Sequence, residues 1–338
     1  MAKYICKRIL YMVVVFFIVS FFMYVLFNLI PSDPARLELE SIKTTLRPDV
    51  YNQMYQDLRE SMGLNDPILV RYGRWLGFLP EKSGSFNGYL QANFGYSNFF
   101  KKPCVEVISA PISTTVFMNI FATILALGIT IPLGIWCAVH KGSHRDNFVQ
   151  VFSIVGYSVP IYIIALVFIY IFAVILRIFP VSGIGTPGAN YTGLKKFFDE
   201  LYYLGLPLIV MTFASLGGMS RYVRSAMIEA LSMDHIKTAR AKGVKERVVI
   251  YSHAWRNALL PVVTLIIGWF LGIFSGSLLV ESTFGINGMG RLYIQSLGNH
   301  DFELSLFVQM FYTVVSLVGA LIMDLVYGFV DPRIRVNK

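Results

Sequence analysis

The chain has 338 residues, of which 55% are apolar and only 14% charged, and its formal net charge is +9. With a mean hydropathy of +0.60, it has too little polar surface to cover a soluble domain of this length. Lipid cannot satisfy an open backbone, and the apolar runs are continuous rather than alternating, so helical spans are expected and a β-barrel is excluded. The surplus of positive charge reads as the bias of cytoplasmic loops in membrane proteins, not as a surface for nucleic acid. Cys6, Cys104 and Cys137 are scattered, and no Cys-x-x-Cys or His-Glu-x-x-His spacing occurs. That pattern argues against a disulfide framework and against a metal site.

The first apolar run, Ile9–Ile30, follows Lys3, Lys7 and Arg8. It is too long for a signal-peptide core and carries no small-residue cleavage site, so it is expected to stay as the first span. Residues 31–111 form an outer segment with a surface helix over Tyr51–Met62, stopped by Leu64-Asn-Asp-Pro67 because proline excludes helix from the residue before it. Its aromatics (Tyr72, Trp75, Phe78, Tyr89, Phe94, Tyr96, Phe99 and Phe100) are expected mostly in packing. Five further spans are expected at about 114–139, 148–178, 203–223, 259–280 and 305–330. Gly156 and Pro160 interrupt the third, where a kink or a break is expected, a packing kink being favoured over a break for solute. Six spans make an all-α polytopic membrane protein with both termini on one side. The turn Lys141-Gly-Ser-His-Arg145, the stretch Arg221–Arg256 and the tail bases Arg333, Arg335 and Lys338 put that side in the cytoplasm.

Residues 229–256 are too polar to cross lipid, yet lie between two spans. Asp234 suits a helix N-cap, His235–Lys242 are good helix formers, and Gly243 suits a left-handed stop. The small side chains of Ala239 and Ala241 would let another surface come close. A short capped helix between spans is a rigid lever, although a solvated basic loop that only sets topology fits the same charges. In the fifth span, Gly268, Gly272 and Gly276 recur every four residues, a face for close helix contact either within the chain, the favoured reading, or with a partner. Asp324 in the last span reads as a structural cap against the basic loop rather than an ion relay.

The run Thr238-Ala-Arg-Ala-Lys-Gly243, followed by His253-Ala-Trp-Arg-Asn-Ala-Leu-Leu-Pro261, resembles the EAA loop of ABC importer permeases. Its spacing resembles the oligopeptide, dipeptide and nickel permease family, in particular the first permease of each pair. Further matches follow in order: Pro31-Ser-Asp-Pro34, Gly63-Leu-Asn-Asp-Pro67, Phe94-Gly-Tyr-Ser97, Gly156-Tyr-Ser-Val-Pro-Ile161, Pro180-Val-Ser-Gly183, Asp324-Leu-Val-Tyr327 and Asp331-Pro-Arg-Ile-Arg335. One departure is Phe284-Gly-Ile-Asn-Gly-Met-Gly290, where the family typically has Phe-Ser-Trp-Pro-Gly-Leu-Gly. This stretch should be re-entrant on the outer side, and loss of Trp-Pro is expected to loosen it.

The resemblance implies the type I ABC importer permease fold, with residues 112–330 as the permease core and 229–256 as the cytoplasmic coupling loop. It places Glu229, Ala230, Asp234, Thr238, Ala239, Arg240, Ala241, Lys242 and Gly243 in the segment that grips the motor. It further implies a homologous second permease, two nucleotide-binding ATPase subunits that hold ATP–Mg, an extracytoplasmic solute-binding protein and a peptide substrate, all at the cytoplasmic membrane. The chain itself has no Gly-x-x-x-x-Gly-Lys-Ser/Thr motif and no nucleophile–base constellation, so no bound cofactor and no covalent chemistry are expected of it. The alternatives are a nickel or other small-solute importer of the same build, a stand-alone secondary transporter and, least favoured, an intramembrane hydrolase.

Overall fold

Long apolar runs become long helices here because only intrahelical bonds can satisfy their backbone in lipid. The structure, a computed structural model, describes residues 2–30 and 33–330. Pro31, Ser32, the Asp331–Arg335 motif and the tail bases lie outside the described residues. Among the described residues, five helices are long and apolar enough to cross a membrane, or six if one bent pair counts as a span. The helices fall into two compact units, one of Met1–Ser109 with Tyr293–Leu317 and one of Ala110–Leu292 with Val318–Lys338.

The first unit holds α1 (Ala2–Leu29), α2 (Pro34–Leu39), α3 (Pro48–Ser61), α4 (Ile68–Leu76) and a short hairpin of β1 (Tyr96–Ser97) with β2 (Lys102–Pro103). Asp33 begins α2 by accepting the Ala35 N–H at 3.0 Å, with Pro34 at the first helical position. Its second oxygen accepts the Tyr55 hydroxyl and pairs with Arg59, which pins α2 to α3. Burial alone would raise the pKa of Asp33, but the Tyr55 hydroxyl, the Ala35 amide and Arg59 hold it below the ordinary carboxylate range. The surface helix expected at 51–62 is α3, but it ends ahead of the Leu64–Pro67 stretch, at a left-handed Gly63 (φ +67°), and Pro67 instead precedes α4 as its N-cap residue. The aromatics pack in sequence through Tyr72, Trp75, Tyr89, Phe94 and Phe307. Ser97 donates to Asp301, which fastens the hairpin to the segment before the last span.

The second unit is built on α5 (Cys104–Val139), α6 (His144–Ser158), α7 (Ile161–Phe168), α8 (Gly193–Ser232), α9 (Asp234–Ala241), α10 (Glu246–Val248), α11 (Trp255–Leu271) and α12 (Leu278–Thr283). Then come α13 (Met289–Gly298) and α14 (Phe302–Val330), each of which also contributes to the first unit. An outer cluster joins Met118 of α5, Ile164 and Ala165 of α7, Leu204–Val210 of α8, and Val280, Phe284 and Ile286. An inner cluster joins Ile135 and Ala138 of α5, Met219–Ala230 of α8, Ile236 of α9 and Val249–Val262. Helix α8 runs through both.

Two spans depart from a straight helix or from their expected bounds. Of the kink or break expected in the third span the structure shows a break: α6 and α7 meet at 105° across Val159-Pro160. Proline lacks the N–H and restricts its predecessor, so the helix stops and restarts in a new direction. The fifth span is one helix from Glu246 to Phe274, with a π-helical stretch at Val249–Ala254, instead of about 259–280. Val249, Ile250, Ala254 and Ala258 bury one side of its polar start in the inner cluster, which explains why Lys- and Arg-rich sequence is helical there.

The helix ends in a 3-10 turn at Gly272–Phe274, so Gly276 does not share a helical face with Gly268 and Gly272. A Cβ on Gly276 would lie 2.1 Å from the Gly290 nitrogen, whereas none at Gly268 or Gly272 would meet any atom within 4 Å. The three glycines therefore do not make one helical face, and of the three only Gly276 is in close backbone contact within the chain. Gly268 and Gly272 instead border a groove of about 260 Å³ with Asn119, Thr123, Met211 and Ser215.

Candidate coupling site

The segment singled out in the sequence is a separate short helix. Helix α9 spans Asp234–Ala241, close to the expected 234–242, and is joined to α8 by the single residue Met233. Met233, in extended conformation, is the N-cap residue. Asp234 is thus the first helical residue and not the cap; its exposed carboxylate pairs with Lys237 at 2.8 Å. An acid in the first turn still suits the positive end of the helix dipole.

The C-terminal stop forms as expected. Gly243 is left-handed at φ +76°, its N–H donates to Arg240 O at 3.0 Å, and the Val244 N–H donates to Ala239 O at 3.2 Å. These two bonds make a Schellman turn, which satisfies carbonyls that the helix end would leave open. Arg240 closes the turn from outside: its guanidinium donates from two nitrogens to the two carboxylate oxygens of Glu246, at 2.6 and 3.2 Å.

One apolar side chain fixes how α9 lies. Ile236 is fully buried in the inner cluster, with Ala239 and Val244 packed against the same cluster. Asn257 Nδ2 lies 3.1 Å from His235 Nε2 and ties the helix to α11. The opposite face carries Asp234, Lys237, Thr238, Arg240, Ala241 and Lys242, all exposed. Ala241 is therefore open to another surface, whereas Ala239 faces its own chain. Glu229 is exposed in the last turn of α8, and Ala230 is buried in the inner cluster, so Ala230 offers no contact surface.

Two polar constellations outside this segment were not among the expected site residues. At the inner end, Asp146 is fully buried and accepts Arg224 Nε at 2.8 Å and Nη2 at 2.7 Å, together with the Gly142 N–H at 2.9 Å. At the outer end, Glu281 is fully buried in α12. One oxygen accepts the Thr115 hydroxyl at 3.1 Å and the Ser277 N–H at 3.2 Å; the other accepts the Arg291 N–H at 2.8 Å. Thr115 in turn accepts the Met289 N–H at 2.9 Å, and Asn119 donates to Ile273 O and Ser275 O at 2.8 and 2.9 Å.

These bonds fasten the outer re-entrant stretch to α5 and α12. Phe284, Ile286 and Met289 are buried, and Gly288 lies so close to the Glu281 carboxylate that a Cβ there would come within 2.4 Å of its carbon. Only Glu281 itself was a visible signal, as an acid among apolar residues; its partners are distant in sequence.

Residues 130–336 match the family described as binding-protein-dependent transport system inner membrane component, and residues 1–119 match the N-terminal region of such membrane components. The chain is 34% identical to the oligopeptide transport system permease protein AppB of Bacillus subtilis, covering 99% of this chain and 100% of that protein. It is 30% identical to the dipeptide transport system permease protein DppB of Lactococcus lactis, with the same two coverages. Among solved structures it is similar to the MetNI methionine ABC transporter in inward-facing conformations, with a TM-score of 0.49 and 17% identity over 66% of this chain and 98% of that one. The chain belongs to the binding-protein-dependent transport system inner membrane components: it is a multi-pass cell-membrane permease subunit of an ABC importer, with a transport rather than a catalytic role.

Proposed function

We propose that this chain is one of two homologous permeases that enclose the path of an ATP-driven importer of oligopeptides or dipeptides. The peptide reading rests on the relatives, whose printed roles are oligopeptide and dipeptide transport and whose whole length the chain spans. Two nucleotide-binding subunits, holding ATP–Mg, would dock on the exposed face of α9, and an extracytoplasmic binding protein would deliver the solute.

The single observation that carries the coupling role is the mounting of α9. A one-residue joint, a buried Ile236 and a Schellman turn leave the helix no slack, so a pull on its exposed face moves α8. ATP-driven closure of the motor would favour the outward-facing state, and hydrolysis would reset it, a population shift driven by differential binding.

Uptake of labelled di- and oligopeptides, with nickel in parallel, is to be compared in cells with and without this chain. Loss of peptide uptake alone is the expected result; loss of nickel uptake alone would reassign the solute. In the reconstituted transporter, Gly243→Pro and Arg240→Glu should leave insertion intact and separate ATP hydrolysis from uptake. Wild-type uptake in both variants would remove the lever role from α9.

A further inference from the structure

The buried pair Asp146–Arg224 joins two helices at the end where α9 is attached, and nothing in the coupling segment itself accounts for it. Arg224 lies in α8 two turns before the joint at Met233, and Asp146 lies in the first turn of α6, 78 residues away in sequence. Asp146 is fully buried and the Arg224 side chain only 20% exposed. The contact is a two-pronged fork, which fixes angle as well as distance between the helices in a way that a lysine could not.

The same carboxylate also organises its own end of α6. It accepts the Gly142 N–H, while the Asp146 N–H donates to Ser143 Oγ at 3.2 Å to cap the helix. Further along, α6 and α8 lie almost in backbone contact. A Cβ on Gly217 would come 2.5 Å from Ser153 O and from Tyr157 Cβ. The pair therefore locks the free end of an interface that is already tight at its middle.

Past the 105° break, α7 packs against α12, which holds Glu281 and the outer re-entrant segment. A continuous set of packed elements thus leads from α9 to α8, and from α8 to both α6 and α7, the two halves of the bent span, with α7 reaching α12 on the outer side. We infer that Asp146 and Arg224 are positioning residues of the transport cycle: they make α6 and α8 move as one body, so that displacement of α9 carries both halves of the bent span together with α8. Packed elements of this kind are the physical carrier of coupling between distant sites. The inference rests on the reading of α9 as the helix that meets the ATPase.

The test uses the complete transporter in proteoliposomes, with Arg224→Lys, Asp146→Asn and, as a separate probe of α9, Arg240→Glu. For both pair variants the ATPase subunits should still copurify and hydrolyse ATP. Peptide moved per ATP should fall at least about fivefold, the lower end of typical coupling between sites. A role in folding alone would lower the amount of assembled transporter but not this ratio. Should Asp146→Asn fail to assemble, Arg224→Lys decides, because it leaves no buried charge without a counter-ion. A wild-type ratio in the pair variants, with Arg240→Glu uncoupled, overturns the positioning role and leaves α9 as the lever. Wild-type ratios in all three overturn both.

Discussion

At the outer end of the second unit, a fully buried carboxylate, Glu281, is satisfied by two backbone N–H groups and a threonine hydroxyl, and among the described residues no salt bridge is made to it. At the inner end, a fully buried carboxylate, Asp146, is gripped by the guanidinium fork of Arg224. The first arrangement folds a loop, because two of its donors belong to the segment that the carboxylate sits in. The second joins two long helices. Helix α9 adds a third style of attachment: one apolar anchor beneath and charges left to solvent. A carboxylate ringed by amides makes a fixed socket, an ion pair between helices makes a linkage, and a charged face over one isoleucine makes a handle.

Removing the outer socket should have the largest effect. Glu281→Ala leaves three donors without an acceptor, each costing about 1–3 kcal/mol when buried, so the thermal midpoint of the purified transporter should fall sharply. Glu281→Gln should lose roughly 1–3 kcal/mol, since one oxygen is kept and one is replaced by a donor facing a donor. An unchanged midpoint in both variants would break the contrast at its outer end.

Ile236→Ala comes next. It should weaken docking of α9 by about 2–5 kcal/mol, the usual range for a buried isoleucine. The loss should appear as faster amide exchange over residues 234–244, not as global unfolding. Exchange that rises equally at α12 would mean that the handle and the socket are one cooperative structure. Gly243→Ala should cost about 1–2 kcal/mol at the same amides. Its Cβ would meet nothing within 4 Å, so the penalty is that of a left-handed backbone alone. The smallest effect belongs to Arg240→Gln, which breaks an exposed pair and should change stability by less than about 1 kcal/mol, shrinking further in salt. A larger loss would show that Arg240 holds the turn rather than decorating it.

The spans were legible because apolar runs of this length have one structural solution in lipid, and Pro160 marked the break in the third. Gly243 was legible for a similar reason: few residues tolerate its backbone. The start of the fifth span was hidden, since Lys245–Arg256 reads as polar loop unless Val249, Ile250, Ala254 and Ala258 are taken as one buried face. The glycine period of four misled, because Ser275-Gly-Ser277 had already ended the helix. Ile236 was visible as the isoleucine in a charged run, yet its weight comes from the cluster beneath it. Asp146–Arg224 and Thr115–Glu281 join residues 78 and 166 positions apart, and no local pattern brings such pairs together.

The joint at Met233 sets a rule about length. With α8 ending at Ser232 and α9 beginning at Asp234, there is no spare chain to absorb an insertion. One residue added in the first turn of α9 would swing Ile236 about 100° around the helix axis, off its seat and toward solvent. The exposed letters of this segment can be rewritten more freely than its spacing, so a partner built to seat it must meet a part of fixed dimensions whatever its surface spells.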